Sequence, residues 1–321
     1  MTTMNIVQAI NLALKQEMQK DSRVVLLGED IGKDGGVFRV TEGLYEKFPS
    51  RVIDTPLAEV AIVGTAIGMA VYGLRPVVEL QFEGFMPPAF DQLISHAARI
   101  RTRSRGRFSV PLVVRFPYSG GIHAPEHHSE STEALLCHTP GLKVVVPSSP
   151  YDAKGLLISA IRDPDPVIFM EPKKIYRAIK EDVPEKEYTI SLEKARVWKK
   201  GNDLTIFCWG AMRPLCEQAV QQTKVDAEIV DLRTLSPLDL RTILDSVKKT
   251  GRALIVHEAP KTCGLGAELA ALLSDRDILY LEAPLVRVTG FDTIMPLYKL
   301  EDYYLPNVQR IVWGIKKVMS Y

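Results

Sequence analysis

Short, wholly apolar runs alternate with longer stretches whose apolar residues recur every three to four positions, and this rhythm predicts the fold class. Met4–Lys20 places Ile6, Val7, Ile10 and Leu14 at helical spacing, and Asp21-Ser22 ends it. Val24–Leu27 reads as a buried strand closed by Gly28-Glu29-Asp30, Arg51–Asp54 as a strand and Ala58–Tyr72 as a helix rich in small residues. Strands are predicted at Pro76–Phe82, Val110–Phe116, Leu142–Val146 and Val167–Met170, with helices at Pro88–Thr102 and Tyr151–Arg162 and a polar loop at Pro117–Glu130. Strands without a period-2 pattern are buried on both faces, which argues for a parallel sheet covered by helices.

Glu171–Glu193 changes character, being rich in Lys, Glu and Pro, and reads as an interdomain connection. The rhythm then resumes, with strands at Leu204–Trp209, Glu228–Leu232, Ala253–His257 and Leu285–Val288 and helices at Met212–Gln222, Asp239–Lys249 and Gly266–Asp275. The expectation is a two-domain α/β protein: residues 1–178, a linker at 179–194, and a smaller domain at 195–321.

Composition narrows the partners. Hydrophobic residues make up 46% of the 321, enough for a sizeable core. Forty basic against thirty-nine acidic residues favour neither nucleic acid nor an anionic membrane. No apolar run is long enough to span a bilayer. Cys137, Cys208, Cys216 and Cys263 are scattered, so neither a disulfide framework nor a zinc knuckle is expected, and the cytoplasm is the expected compartment.

Candidate chemistry concentrates in two places. Glu59 falls in the first turn of a helix just beyond a strand, where open parallel sheets form ligand crevices and where the helix dipole favours a carboxylate in any case. The helix after it, with Ala61, Gly64, Thr65, Ala66, Gly68 and Ala70, has thin faces suited to close approach of another helix or chain. The loop Pro117–Glu130 holds three of the six histidines: His123, His127 and His128. They read as metal ligands, as a site handling protons or an anionic substrate, or as a plain solvated loop, and their irregular spacing argues against the first. Arg99, Arg101, Arg103, Arg105 and Arg107 read as a solvated helix end or as ion pairs at a contact, and His257-Glu258 closes a strand. Gly264-Leu265-Gly266 lacks the third glycine of a dinucleotide fingerprint and reads as helix–strand packing. Neither a GxxxxGK[ST] loop nor a GxSxG elbow is present.

In order along nearly the whole chain, the segments Leu27–Asp30 (LGED), Gly35–Arg39 (GGVFR), Asp54–Glu59 (DTPLAE), Glu79–Phe82 (ELQF), Pro88–Gln92 (PAFDQ), HHSES around His128, Pro140–Val145 (PGLKVV), Tyr151–Ser159 (YDAKGLLIS), Val230–Thr234 (VDLRT) and His257–Pro260 (HEAP) carry a specific resemblance. The sequence resembles the beta subunit of the thiamine diphosphate-dependent first component of 2-oxo acid dehydrogenase complexes. That implies a pyrimidine-binding domain followed by a transketolase-type C-terminal domain. It also implies that Glu59 hydrogen-bonds N1′ of the cofactor's aminopyrimidine and favours the imino tautomer that removes the C2 proton. The resemblance places Leu57 and Phe85 against that ring and His128 in the catalytic chamber. It further implies a potassium site at Leu112, Ala160, Ile161, Asp163 and Asp165, largely from backbone carbonyls, with Asp165 where asparagine is common.

The GDG motif that holds Mg2+ and the diphosphate in thiamine diphosphate enzymes is not in this sequence. The resemblance therefore implies a separate alpha subunit, an α2β2 heterotetramer, and acyl transfer to the lipoyl domain of a dihydrolipoamide acyltransferase that docks on the C-terminal domain. Glu171-Pro172-Lys173 leans towards branched-chain relatives and His123–Glu126 towards pyruvate relatives. Half of a split transketolase, an acetoin-cleaving enzyme and a non-enzymatic scaffold are the alternatives.

Overall fold

The computed structural model describes residues 1–321. A seven-stranded sheet forms the first domain, in the order Thr234–Ser236, Lys143–Val145, Val167–Pro172, Val113–Tyr118, Arg75–Glu79, Val24–Gly28 and Val52–Asp54. Six strands run parallel; Thr234–Ser236 arrives from the second domain and pairs antiparallel with Lys143–Val145. The five-stranded sheet of the second domain runs Val286–Val288, Ala253–Val256, Leu204–Cys208, Ala227–Asp231 and Arg196–Lys199, the last antiparallel. Both are α/β layers, as the alternating pattern predicts.

Helix Ile6–Lys20 starts with an Asn5–Gln8 capping box that satisfies two end donors, and it packs on helix Pro150–Arg162 over one face of the first sheet. Buried side chains from both domains merge into shared cores on the two faces, so the domains are continuous rather than hinged by a loose linker. The connection is itself structured: Glu181–Val183 pairs antiparallel with Thr2–Met4. Glu171 and Pro172, read from composition as part of this connection, belong to the strand Val167–Pro172 and are buried.

Pro88–Thr102 is not one helix. A 3₁₀ turn at Pro87–Ala89, a π-type segment at Gln92–Ala97 and a short helix at Ile100–Arg103 share the stretch. At Ala98 the chain meets Gly141, where a Cβ would stand 2.2 Å from the Ala98 carbonyl oxygen. Four neighbouring parallel strands put their C-terminal ends on one edge, with Gly28 opposite Asp54 and Glu79, and Glu79 opposite Arg115. Loops leaving that edge carry Glu29, Glu59 and the histidine loop.

Candidate functional site

Glu59 is the first residue of helix Glu59–Tyr72, and its N-cap, Ala58, offers no side-chain cap. The Glu59 carboxylate, half-buried, has no salt bridge and no side-chain hydrogen bond in the chain, leaving it free to take a ligand donor at a positive helix end. The preceding turn is rigid: Asp54 Oδ1 accepts from Gly32 N at 2.6 Å and the Gly28 carbonyl accepts from Thr55 N at 3.0 Å. Glu29 is buried beside it, its carboxylate without a side-chain partner and facing the Ala58 backbone N–H. Burial raises the Glu29 pKa, and the charges of Glu59 and Asp30 raise it further. Two like-charged groups with no internal cation form a pair suited to holding or passing a proton. The sequence placed Glu29 in a motif without giving it a role, because nothing local shows that it faces Glu59.

Phe85 and His128 meet. Phe85 ends the 3₁₀ turn Glu83–Phe85 and His128 ends Glu126–His128, with ring centroids 5.1 Å apart. Phe82 lies 4.3 Å from the imidazole centroid. The close approach of the two turns requires Gly84, where a Cβ would come within 1.9 Å of the His127 carbonyl oxygen. Desolvation lowers the His128 pKa, as do the charges of Lys173 and His127 against the opposing Glu126, so the imidazole is neutral near pH 7. Helix Glu59–Tyr72 packs against Pro87–Ala89, the turn next to Phe85, which brings the carboxylate pair and the aromatic–histidine pair onto one edge of the sheet.

This edge is open. Leu57 is 78% exposed and Val60 44%, and Tyr72 at the far end of the same helix is 88% exposed. Between them Ala61, Thr65 and Gly68 are also exposed, and a Cβ at Gly68 would meet nothing within 4 Å. The thin helix face read from the sequence therefore has no partner within this chain.

The other sequence candidates lie elsewhere. No group of three or more His, Cys, Asp or Glu side chains is arranged to hold a metal. His123 contacts the Tyr298 carbonyl at 2.8 Å, and His127 is exposed. His257 is buried and stacks on Trp209 at 5.2 Å; desolvation lowers its pKa to about 3, so it is a neutral packing residue. A Cβ at Gly266 would lie 2.6 Å from its Nε2, the helix–strand contact expected of those glycines. Glu258 points instead at the base of the histidine loop, accepting from Gly120 N at 3.1 Å. Of the arginine run, Arg101 pairs with Asp165 at 2.5 Å.

Leu112, Ala160, Ile161, Asp163 and Asp165 gather at the opposite, N-terminal edge of the sheet. The carbonyls of Ile161 and Asp163 accept from Arg75 Nη1 at 2.8 and 3.3 Å, and the Leu112 carbonyl accepts from Val167 N at 2.9 Å. Lys143 Nζ lies 2.6 Å from Asp163 Oδ2. Three cationic side chains on these acceptors do not fit a potassium ion, because each guanidinium or ammonium already supplies the charge that the ion would bring.

Comparison with known proteins matches residues 2–179 to the transketolase pyrimidine-binding domain and residues 193–311 to the transketolase C-terminal domain. The chain is 52% identical to the pyruvate dehydrogenase E1 component subunit beta of Acholeplasma laidlawii, covering 99% of this chain and 98% of that one. It is 50% identical to the same subunit of Staphylococcus aureus strain Mu50 over the full length of both. A solved split-gene transketolase, an inactive beta4 tetramer, superposes with a TM-score of 0.82 at 21% identity, covering 99% of this chain and 98% of that chain.

Proposed function

Since the chain belongs to the family of pyruvate dehydrogenase E1 component beta subunits, with the two transketolase-type domains in order, we propose that it supplies the aminopyrimidine half of a thiamine diphosphate site in a 2-oxo acid dehydrogenase. The observation that carries this reading is the Glu29–Glu59 carboxylate pair, without a side-chain partner in the chain and set on an open edge. Its donor chemistry fits an aminopyrimidine, whose ring nitrogen takes or gives one proton. Thiamine diphosphate supplies the electron sink for decarboxylation, and the protein supplies position and electrostatics.

Each residue then has a task. Glu59, at the start of its helix, holds a proton at N1′ of the aminopyrimidine. Phe85 provides an apolar face for the ring, and its lack of a hydroxyl makes that contact purely one of stacking. Exposed Leu57 offers its backbone to the same ring. Neutral His128 receives or returns a proton near the substrate carbonyl. The open edge leaves the diphosphate and its Mg2+ to an alpha subunit, in an α2β2 assembly closed along helix Glu59–Tyr72. The acyl acceptor is the lipoyl domain of a dihydrolipoamide acyltransferase docked on the second domain. The names of the relatives favour pyruvate over branched-chain 2-oxo acids.

Co-expression with the GDG-containing partner tests this reading. The assembled enzyme with thiamine diphosphate and Mg2+ is expected to decarboxylate pyruvate in preference to 3-methyl-2-oxobutanoate, and the purified chain to bind the cofactor weakly and turn nothing over. Tight cofactor binding by the isolated chain in calorimetry would refute the shared site.

A further inference from the structure

Both ends of the His128 loop are gripped by carboxylates from outside it. At the exit, Glu83 Oε1 accepts from Thr132 N at 2.7 Å and from Thr132 Oγ1 at 2.5 Å. At the entry, Glu258 accepts from Gly120 N and Glu301 accepts from Gly121 N. Glu83 belongs to the first domain, whereas Glu258 and Glu301 belong to the second. Lys173 follows Pro172, which pairs with Tyr118 at the base of the loop; it is 4% exposed, its ammonium sealed from solvent without a direct hydrogen-bond partner. The loop tip is tied to the same region, since His123 contacts the Tyr298 carbonyl at 2.8 Å and sits 3.8 Å from Asp302.

We infer that Lys173, with Glu83, Glu258 and Glu301, forms a positioning cluster that fixes the His128 loop from both domains. A buried ammonium is tolerated only with compensating charge. Here the compensation comes from Glu258 and Glu301, which hold the entry of the loop, while Glu83 at the exit adds to it only when ionised. Burial lowers the Lys173 pKa against the opposing charges of Glu258, Glu83 and Glu301. Burial likewise raises Glu83, to about 8, with Glu133 reinforcing and Thr132 and Lys173 opposing. The groups acting on His128 are Lys173 and His127, which lower its pKa, and Glu126, which raises it; its remaining neighbours Phe82 and Phe85 are uncharged. Removing the lysine charge therefore raises the His128 pKa and frees the loop ends at the same time. Lys173 acts through His128 and touches no reacting atom; this role rests on the reading of His128 as an active-site residue.

The test uses the assembled enzyme carrying Lys173→Met. Hydrogen exchange of the peptides spanning residues 119–132 is expected to accelerate at least tenfold. The acidic limb of the kcat/KM pH profile is expected to move upward by about half a unit or more, with KM for the 2-oxo acid changed less than kcat. Should that variant fail to assemble, Lys173→Met with Glu258→Gln removes one charge of each sign and keeps an acceptor for Gly120 N. It is expected to assemble with wild-type loop protection and still show the shifted limb. Unchanged loop exchange and an unchanged acidic limb in either assembled variant would overturn the inference. Accelerated exchange in the variant, together with a wild-type assembly inactive on every 2-oxo acid, would sink the proposed function and leave the cluster standing.

Discussion

Arg115→Met is expected to be among the most damaging single changes in the molecule. Arg115 sits mid-sheet, buried, with Nε and Nη2 on the two oxygens of Glu171 at 2.6 and 2.8 Å and Nη1 on Glu79. Tyr176 donates a further bond to Glu171 Oε2 at 2.5 Å. Burial works against the Arg115 charge, yet Glu171 and Glu79 outweigh it and raise its pKa. Methionine keeps the approximate volume and leaves two buried carboxylates without a cation. Breaking such a pair from one side costs about 3–5 kcal/mol. For domains of this size that corresponds to a Tm loss on the order of 6–20 °C. The damage reaches the site, because a Cβ at Gly36 would stand 3.1 Å from Glu79 Oε1 and the Glu79 strand end borders Gly28 and Glu29. The assay is thermal unfolding of the assembled enzyme by circular dichroism, with Arg115→Met/Glu79→Gln/Glu171→Gln alongside. Neutralising all three should restore more than half of the lost stability. A single-variant loss below about 1 kcal/mol, or no recovery in the triple variant, would refute a buried charge balance at this position.

Gly84→Ala is expected to displace the His127 carbonyl and lower kcat at least about tenfold, since 1 Å of misplacement near a reacting group has effects of that order; steady-state kinetics on the assembled enzyme check this. Glu83, raised to about 8 from 4.5, keeps a proton that the unfolded chain has released. Stability should therefore fall as pH rises from about 5 to 9, by a few kcal/mol at most, and Glu83→Gln should flatten that slope in denaturant titrations at several pH values. Because Arg75 occupies the carbonyls of Ile161 and Asp163, replacing KCl by choline chloride at equal ionic strength should leave Tm unchanged within about 1 °C, as differential scanning fluorimetry would show.

The strands of both sheets were legible because runs such as Val24–Gly28 and Ala253–Val256 are apolar on every residue and end at Gly, His or Asp. Thr2–Met4, Arg196–Lys199 and Thr234–Ser236 were not read as strands. Each is three or four residues long, and its pairing partner comes from a distant segment, so no local period records it. The continuous helix expected over Pro88–Thr102 is broken into three segments, the last of which begins after Ala98, where Gly141 packs closely against the chain, a tertiary contact that helical spacing does not record. At the site, position alone suggested a first-turn carboxylate at Glu59, and the motif around it supplied its chemistry. Glu83, Lys173, Glu258 and Glu301 could not be connected in the sequence, since four separate segments assemble them and each alone reads as an ordinary surface charge. The residues implied for a potassium site come together at one place, but the cations that the fold sets against them arrive from Arg75, Arg101 and Lys143, which no local pattern connects to them.

Deuterium exchange at C2 of bound thiamine diphosphate, followed by proton NMR after rapid quench of the assembled enzyme, measures most directly whether Glu59 acts on the aminopyrimidine. Glu59→Gln should bind the cofactor and assemble normally while slowing exchange by about 10²–10⁴-fold, the usual span for loss of a positioned proton-transfer group. Exchange at the wild-type rate in a fully loaded Glu59→Gln enzyme would contradict the role given to this carboxylate.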